Sequence, residues 1–183
     1  MNKLAKRISA VVLAGAMTLS SSVAAFAADL TVYIRESKSV TTADGTTTAS
    51  ITGRPFGDSA AFVVKNVTAD EKLSTALQSG VVSTNCILKT TWDDSKKYLK
   101  NLTLLNSAGK TLYEGLENGK YTDLVKGDDG SYISGTWNGY SWMWVPATPK
   151  DSLSYPNKTL DQVTCDEVNY EIVLSYENSV YSW

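Results

Sequence analysis

From Leu30 onward, apolar residues recur mostly at every second position, and that period does more than any other feature to limit the fold. Leu30, Val32 and Ile34 alternate with Thr31, Tyr33 and Arg35. A strand sends successive side chains to opposite faces, so this segment is read as a half-buried strand. Thr48–Thr52, Ala61–Val64, Ile87–Trp92, Leu99–Leu105 and Lys110–Tyr113 are further extended segments. The last runs from Val168 to Tyr176, with Val168, Tyr170, Ile172, Leu174 and Tyr176 expected on one face. Asp44-Gly45, Gly53-Arg54-Pro55, Asn106–Gly109, Asn118-Gly119 and Asp128-Asp129-Gly130 are the punctuation between them, read as turns.

Two segments carry sharper signals. Tyr132–Trp137 and Tyr140–Val145 flank Asn138-Gly139, a pair that supplies both positive-φ positions of a type I′ turn, so a tight hairpin is predicted there. Pro146 and Pro149 should stop its second strand. Thr68 followed by Glu71 has the spacing of a capping box, and Leu73, Ala76 and Leu77 then recur at helical intervals up to Gly80. A helix over Ala69–Gln78 follows, amphipathic and therefore lying on a sheet. The expected fold is α+β, one domain over residues 28–183, mostly antiparallel sheet with one short helix.

The first 27 residues are set apart from that domain. Lys3, Lys6 and Arg7 precede an apolar core from Ile8 to Leu19, and Ala25-Phe26-Ala27 has the small-x-small pattern of a signal-peptidase site. A core this short is poorly suited to span a bilayer, so a secreted chain starting at Ala28 is expected, with no membrane span. The leader holds three of the 17 Lys and Arg and none of the 19 Asp and Glu, so cleavage moves the formal net charge from −2 to −5. The charges are scattered, with no basic face for nucleic acid.

Catalytic chemistry is poorly provided for. The chain has no His, which removes the imidazole base of Ser and Cys nucleophiles and the commonest zinc ligand. Two Cys cannot build a structural zinc site. No catalytic residue, metal ligand or cofactor is assigned, and an enzyme is not expected. Asp123, Asp128 and Asp129 near Gly130 lack the spacing of a calcium loop and read as a solvated turn. Cys86 and Cys165 are either a disulfide, which would close a loop worth ~4.5 kcal/mol in the chain-entropy model, or two free thiols acting as small hydrophobes.

Several of these residues together resemble a known family. Leu30–Ile34, the segment Thr68-Ala-Asp-Glu-Lys-Leu-Ser-Thr-Ala-Leu77, Tyr132–Gly135, Gly139-Tyr-Ser-Trp142-Met-Trp144 and a final strand after Cys165-Asp166 follow one another in the order of the DUF4430, transcobalamin C-terminal-like family. The resemblance covers most of residues 30–177 and implies a β-grasp-type fold. It also implies a non-enzymatic module, corrinoid-bound in some members and attached to cell-surface proteins in others. Cys165-Asp166 stands where the family usually has Gly-Asp, and Val145-Pro146-Ala147 where it often has an Asn-Gly turn. No matched residue is a cobalt ligand.

The aromatic residues are the candidate binding groups. Tyr140, Trp142 and Trp144 share one strand face and read either as a flat surface for a corrin, sugar or peptide or as core, with core preferred. Trp137, one residue before the expected turn, is the better ligand candidate, and Trp183 is either a docking residue or a frayed end. The expected function is an exported binding module for a corrinoid, another small ligand or a glycan. The alternative is a cell-surface protein-interaction or adhesion module.

Overall fold

The computed structural model describes residues 27–83 and 85–183. The expected leader, residues 1–27, therefore lies outside the described residues, apart from Ala27. Ten strands follow in chain order: β1 (Ala28–Thr41), β2 (Thr47–Gly53), β3 (Phe62–Val67), β4 (Val81–Val82), β5 (Cys86–Trp92), β6 (Leu99–Asn106), β7 (Thr111–Leu116), β8 (Asn118–Lys126), β9 (Tyr132–Pro146) and β10 (Glu171–Ser182). One helix, α1 (Leu73–Ser79), lies between β3 and β4. The α+β class with mostly antiparallel pairing is observed.

Seven strands form one sheet in the order β4-β3-β1-β10-β9-β8, with β2 on the outer side of β1. β1 and β10 are its parallel centre, paired from Thr31 with Glu171 to Thr41 with Tyr181. The free side of β1 is shared between β3 at its start and β2 at its end. The Asp44-Gly45 turn makes this division possible. Gly45 takes φ 83°, and the Asp44 carboxylate accepts from the Thr46 amide.

Each face of the sheet is covered differently. On one, Leu30, Val32, Ile34, Ile172 and Leu174 are buried with Leu73, Ala76 and Leu77 of α1 and with Leu102, Leu104 and Tyr113 of the small β5-β6-β7 sheet. On the other, Tyr33, Val145 and Val173 pack with Ala147 and Tyr155 of the segment after β9. Arg35 ties that segment down. Its Nε donates to Ser175 Oγ (3.1 Å), and its two terminal nitrogens donate to the carbonyls of Lys150 (2.8 Å) and Ser152 (2.6 Å). Ser175 Oγ lies 2.8 Å from Ser37 Oγ, which donates to Glu177 Oε2. The buried guanidinium and carboxylate are thus linked through two hydroxyls, and among the described residues no buried side-chain polar atom lacks a partner.

Four expectations are corrected. The Asn138-Gly139 hairpin does not form, because β9 runs unbroken through both residues, neither of which has positive φ. Gly139 is there for close approach: a Cβ on it would lie 2.6 Å from Asn118 O and 2.7 Å from the Trp137 ring. Asn118-Gly119 likewise opens β8 rather than a turn, and the chain reverses instead at Gly127–Ser131, where Gly130 takes φ 80°. The helix begins at Leu73, not Ala69. Glu71 does accept from the Thr68 amide, but the Leu73 and Ser74 amides are taken by the carbonyls of Val163 and Leu160, a tertiary cap that shortens the helix. Finally, Val168 sits in a 3-10 turn and Tyr170 has φ 58°, so neither continues the strand alternation, though both pack into the core of Ile172 and Leu174, while β10 extends on to Ser182.

Both cysteines are free, Cys165 buried and Cys86 half-buried. Burial pushes the Cys165 thiol up to about 11, and the charges of Glu71 and Asp166 act in the same direction. In the folded protein at pH 8, Cys86 is expected to alkylate well before Cys165, as read by mass spectrometry. Equal labelling would contradict the burial, and no labelling of either before reduction would show a disulfide. Arg35→Met strands two carbonyls and is expected to cost on the order of 3 kcal/mol, with new proteolytic cleavage between Ala147 and Tyr155. Wild-type stability and protease resistance would contradict the clamp.

Candidate functional site

Register, rather than sequence proximity, assembles the site. Trp137 on β9 faces Tyr121 on β8 across one interface and Tyr181 on β10 across the other. Tyr181 is beside Thr41 of β1, which is opposite Thr47 of β2. One row of side chains therefore crosses five strands on the face shared with Arg35. The next row, two residues along each strand, is Gly119, Gly139, Ser179, Ser39 and Ala49, all small. An aromatic ridge thus stands beside a low floor.

The ridge is a packed cluster. The rings of Tyr121 and Trp137 have centroids 4.7 Å apart, Tyr121 and Trp183 6.1 Å, and Tyr181 and Trp183 6.0 Å at an interplanar angle of 18°. Such pairs add about 0.5–1.5 kcal/mol each beyond burial. Two glycines give the indoles their seats. A Cβ on Gly119 would lie 2.1 Å from the Trp137 ring, and one on Gly135 would lie 2.7 Å from the Trp183 ring. Trp183 is not frayed: its amide and carbonyl exchange hydrogen bonds with Gly135 at 3.1 and 3.2 Å. Even so, Tyr121 remains 62% exposed and Tyr181 49% exposed, a large apolar area to leave in water.

Trp137 also walls a second feature. Beyond the start of β8 a cleft of about 440 Å³ opens between Trp137, Gly139, Ser141 and Ser179 on the large sheet, Asn101 of β6 and Glu117 on the link from β7 to β8. Glu117 Oε2 is 3.8 Å from Lys100 Nζ, which also lines the cleft, so the charges there are matched. The Glu177 carboxylate nearby is enclosed by hydroxyls of Ser37, Ser39, Ser179 and Tyr155. Among the described residues, no group of three or more Cys, Asp or Glu converges as a metal site would require.

The four aromatic candidates separate clearly. Trp142 and Trp144 are each 8% exposed, and their indole N–H groups donate to Gly115 O (3.1 Å) and Lys158 O (2.9 Å). They are core residues, and both line a second cleft of about 390 Å³ with Tyr98 and Pro156. Tyr140 is exposed on the same face as these two and stacks on Tyr176 at 5.0 Å. It also lines the cleft beside Trp137. Trp137 alone belongs to the exposed ridge. Tyr121 and Tyr181 were not singled out from sequence. Carrying the alternation of the last strand past Tyr176 would have placed Ser179, Tyr181 and Trp183 on one face.

If the indole rests on the glycine pair, Gly119→Ala should unseat Trp137. An overpacking cost of about 1–3 kcal/mol is expected, with a displaced Trp137 indole N–H resonance. An unmoved resonance and unchanged melting temperature would contradict the seat. No family model, curated protein or solved structure matches this chain.

Proposed function

We propose that this chain is an exported, non-enzymatic binding module that holds a small, largely neutral ligand at the Trp137 ridge and its adjoining cleft. One observation carries the reading: Trp137 is the common wall of an exposed aromatic cluster and a polar cleft with matched charges. A few oriented polar groups beside apolar surface are what small-ligand recognition requires. Export rests on the leader read in the sequence. The parallel pairing of β1 with β10 and the helix packed on the same sheet support a β-grasp-type, DUF4430-like kinship. Corrinoids and glycans are both ligands of the right amphipathic character.

A protein partner is the second reading, favoured by the position of β8 as an unpaired edge of the large sheet. An open edge can accept a strand from another chain. This edge is defended, however, by Lys120, Asp123 and Lys126 and by a bulge between Thr122 and Val125. The small-ligand reading therefore leads.

Titration of a corrinoid and glycan panel, followed by tryptophan fluorescence, tests it. A saturable change is expected that disappears in Trp137→Ala and survives in Trp92→Phe. No response to any ligand, or an equal response in Trp137→Ala, would overturn the reading.

A further inference from the structure

The shape and charge of the Trp137 face narrow the ligand class. We infer that the ligand is a neutral oligosaccharide chain lying across the strands, with one sugar ring in the cleft and the following rings on the Trp137–Tyr181 ridge. The inference rests on the binding-module reading above and adds the ligand's chemistry and its direction.

Length is the first argument. Five hydrogen-bonded strands at about 4.8 Å spacing carry the Trp137 row over roughly 19 Å, aromatic on β8, β9 and β10 and threonine on β1 and β2. The Trp137 indole lies over Gly119 and Gly139, and from it a floor of Ser179, Ser39 and Ala49 continues to the outer strand β2 without a bulky side chain. Together with the outer face of the indole, that is a track more than one sugar ring long. It suits a chain of linked rings better than one compact molecule, which would be gripped on more than one side.

Charge is the second argument. The ridge and floor comprise Tyr121, Trp137, Tyr181, Thr41 and Thr47 with Gly119, Gly139, Ser179, Ser39 and Ala49, with no acidic or basic side chain among them. In the cleft, Lys100 is offset by Glu117, and Glu177 is already engaged by hydroxyl donors. A phosphate, sulfate or uronate finds no uncompensated cation here, and a neutral ligand meets no desolvated charge.

Chemistry is the third. A sugar ring has an apolar C–H face, weakly positive, and a rim of hydroxyls. The face complements the negative π-surface of an indole or phenol ring. The rim can exchange hydrogen bonds with the Asn101 amide, the Glu117 carboxylate and the Ser141 and Ser179 hydroxyls that line the cleft beside Trp137. Trp137 supplies the junction, since it borders both the cleft and the aromatic cluster.

The test is calorimetry on the secreted protein with a length series of neutral glucose-, xylose- and N-acetylglucosamine-based saccharides, from mono- to hexasaccharide. Polygalacturonate and cyanocobalamin are titrated in parallel. Adding rings that reach the ridge should tighten binding roughly tenfold between mono- and tetrasaccharide in at least one series. Trp137→Ala should abolish it, and Tyr181→Ala, at a surface position, should remove the length dependence. Melting curves establish that each variant is folded. Binding of cyanocobalamin or polygalacturonate alone, lost in Trp137→Ala, would overturn the saccharide inference and leave the binding-module reading intact. Saccharide binding without length dependence would also overturn it. Silence from all ligands would overturn both.

Discussion

The parallel pairing of β1 with β10 is the constraint on which the rest of the structure depends. Both strands are central and buried on both faces over much of their length, which is the usual condition of parallel strands. A one-residue slip of β1 against β10 would put Arg35 where Ile34 lies and send the apolar set of β1 to the polar face. The same register carries the exposed rows, since it aligns Ser39 with Ser179 and Thr41 with Tyr181. Core and candidate site are therefore two ends of one ladder. A change that loosens the first would misalign the second.

One sheet face changes character along its length. Near the start of β1 it is apolar and covered, with Tyr33, Val145 and Val173 under the segment after β9. In the middle it is buried and polar, where Arg35, Ser175, Ser37 and Glu177 form a neutral chain of donors and acceptors. Toward the end of β10 it is open and aromatic. The clamp made by Arg35 holds the covering segment at one end of the face. Beyond it the small residues leave the sheet surface bare, and the ridge is exposed because nothing else in the described chain reaches it.

Much of this was legible in the sequence, and the misses have physical causes. Period-two alternation located most strands, and the helix signal at Leu73, Ala76 and Leu77 found α1. The errors cluster at glycines. Asn138-Gly139 and Asn118-Gly119 carry the residue types of turns, yet each glycine is required because an indole or a backbone lies where a Cβ would be. Sequence cannot distinguish a glycine kept for its φ from one kept for its missing side chain. Trp142 and Trp144 were favoured as core and are buried, whereas Tyr140, favoured with them, is exposed, and Trp137, read as exposed, is half-buried. Tyr121 and Tyr181 escaped because their partnership with Trp137 exists only once three strands are in register.

The Trp137 face, and no other surface, is proposed to take the ligand. Backbone amide chemical-shift mapping during titration with a neutral oligosaccharide mixture tests this most directly. The expected result is a contiguous set of shifts at Gly119, Trp137, Gly139, Ser179 and Tyr181, with α1 and the Arg35 segment unmoved. Shifts centred on the Tyr98–Pro156 cleft or on α1, or none at saturating concentration, would contradict it.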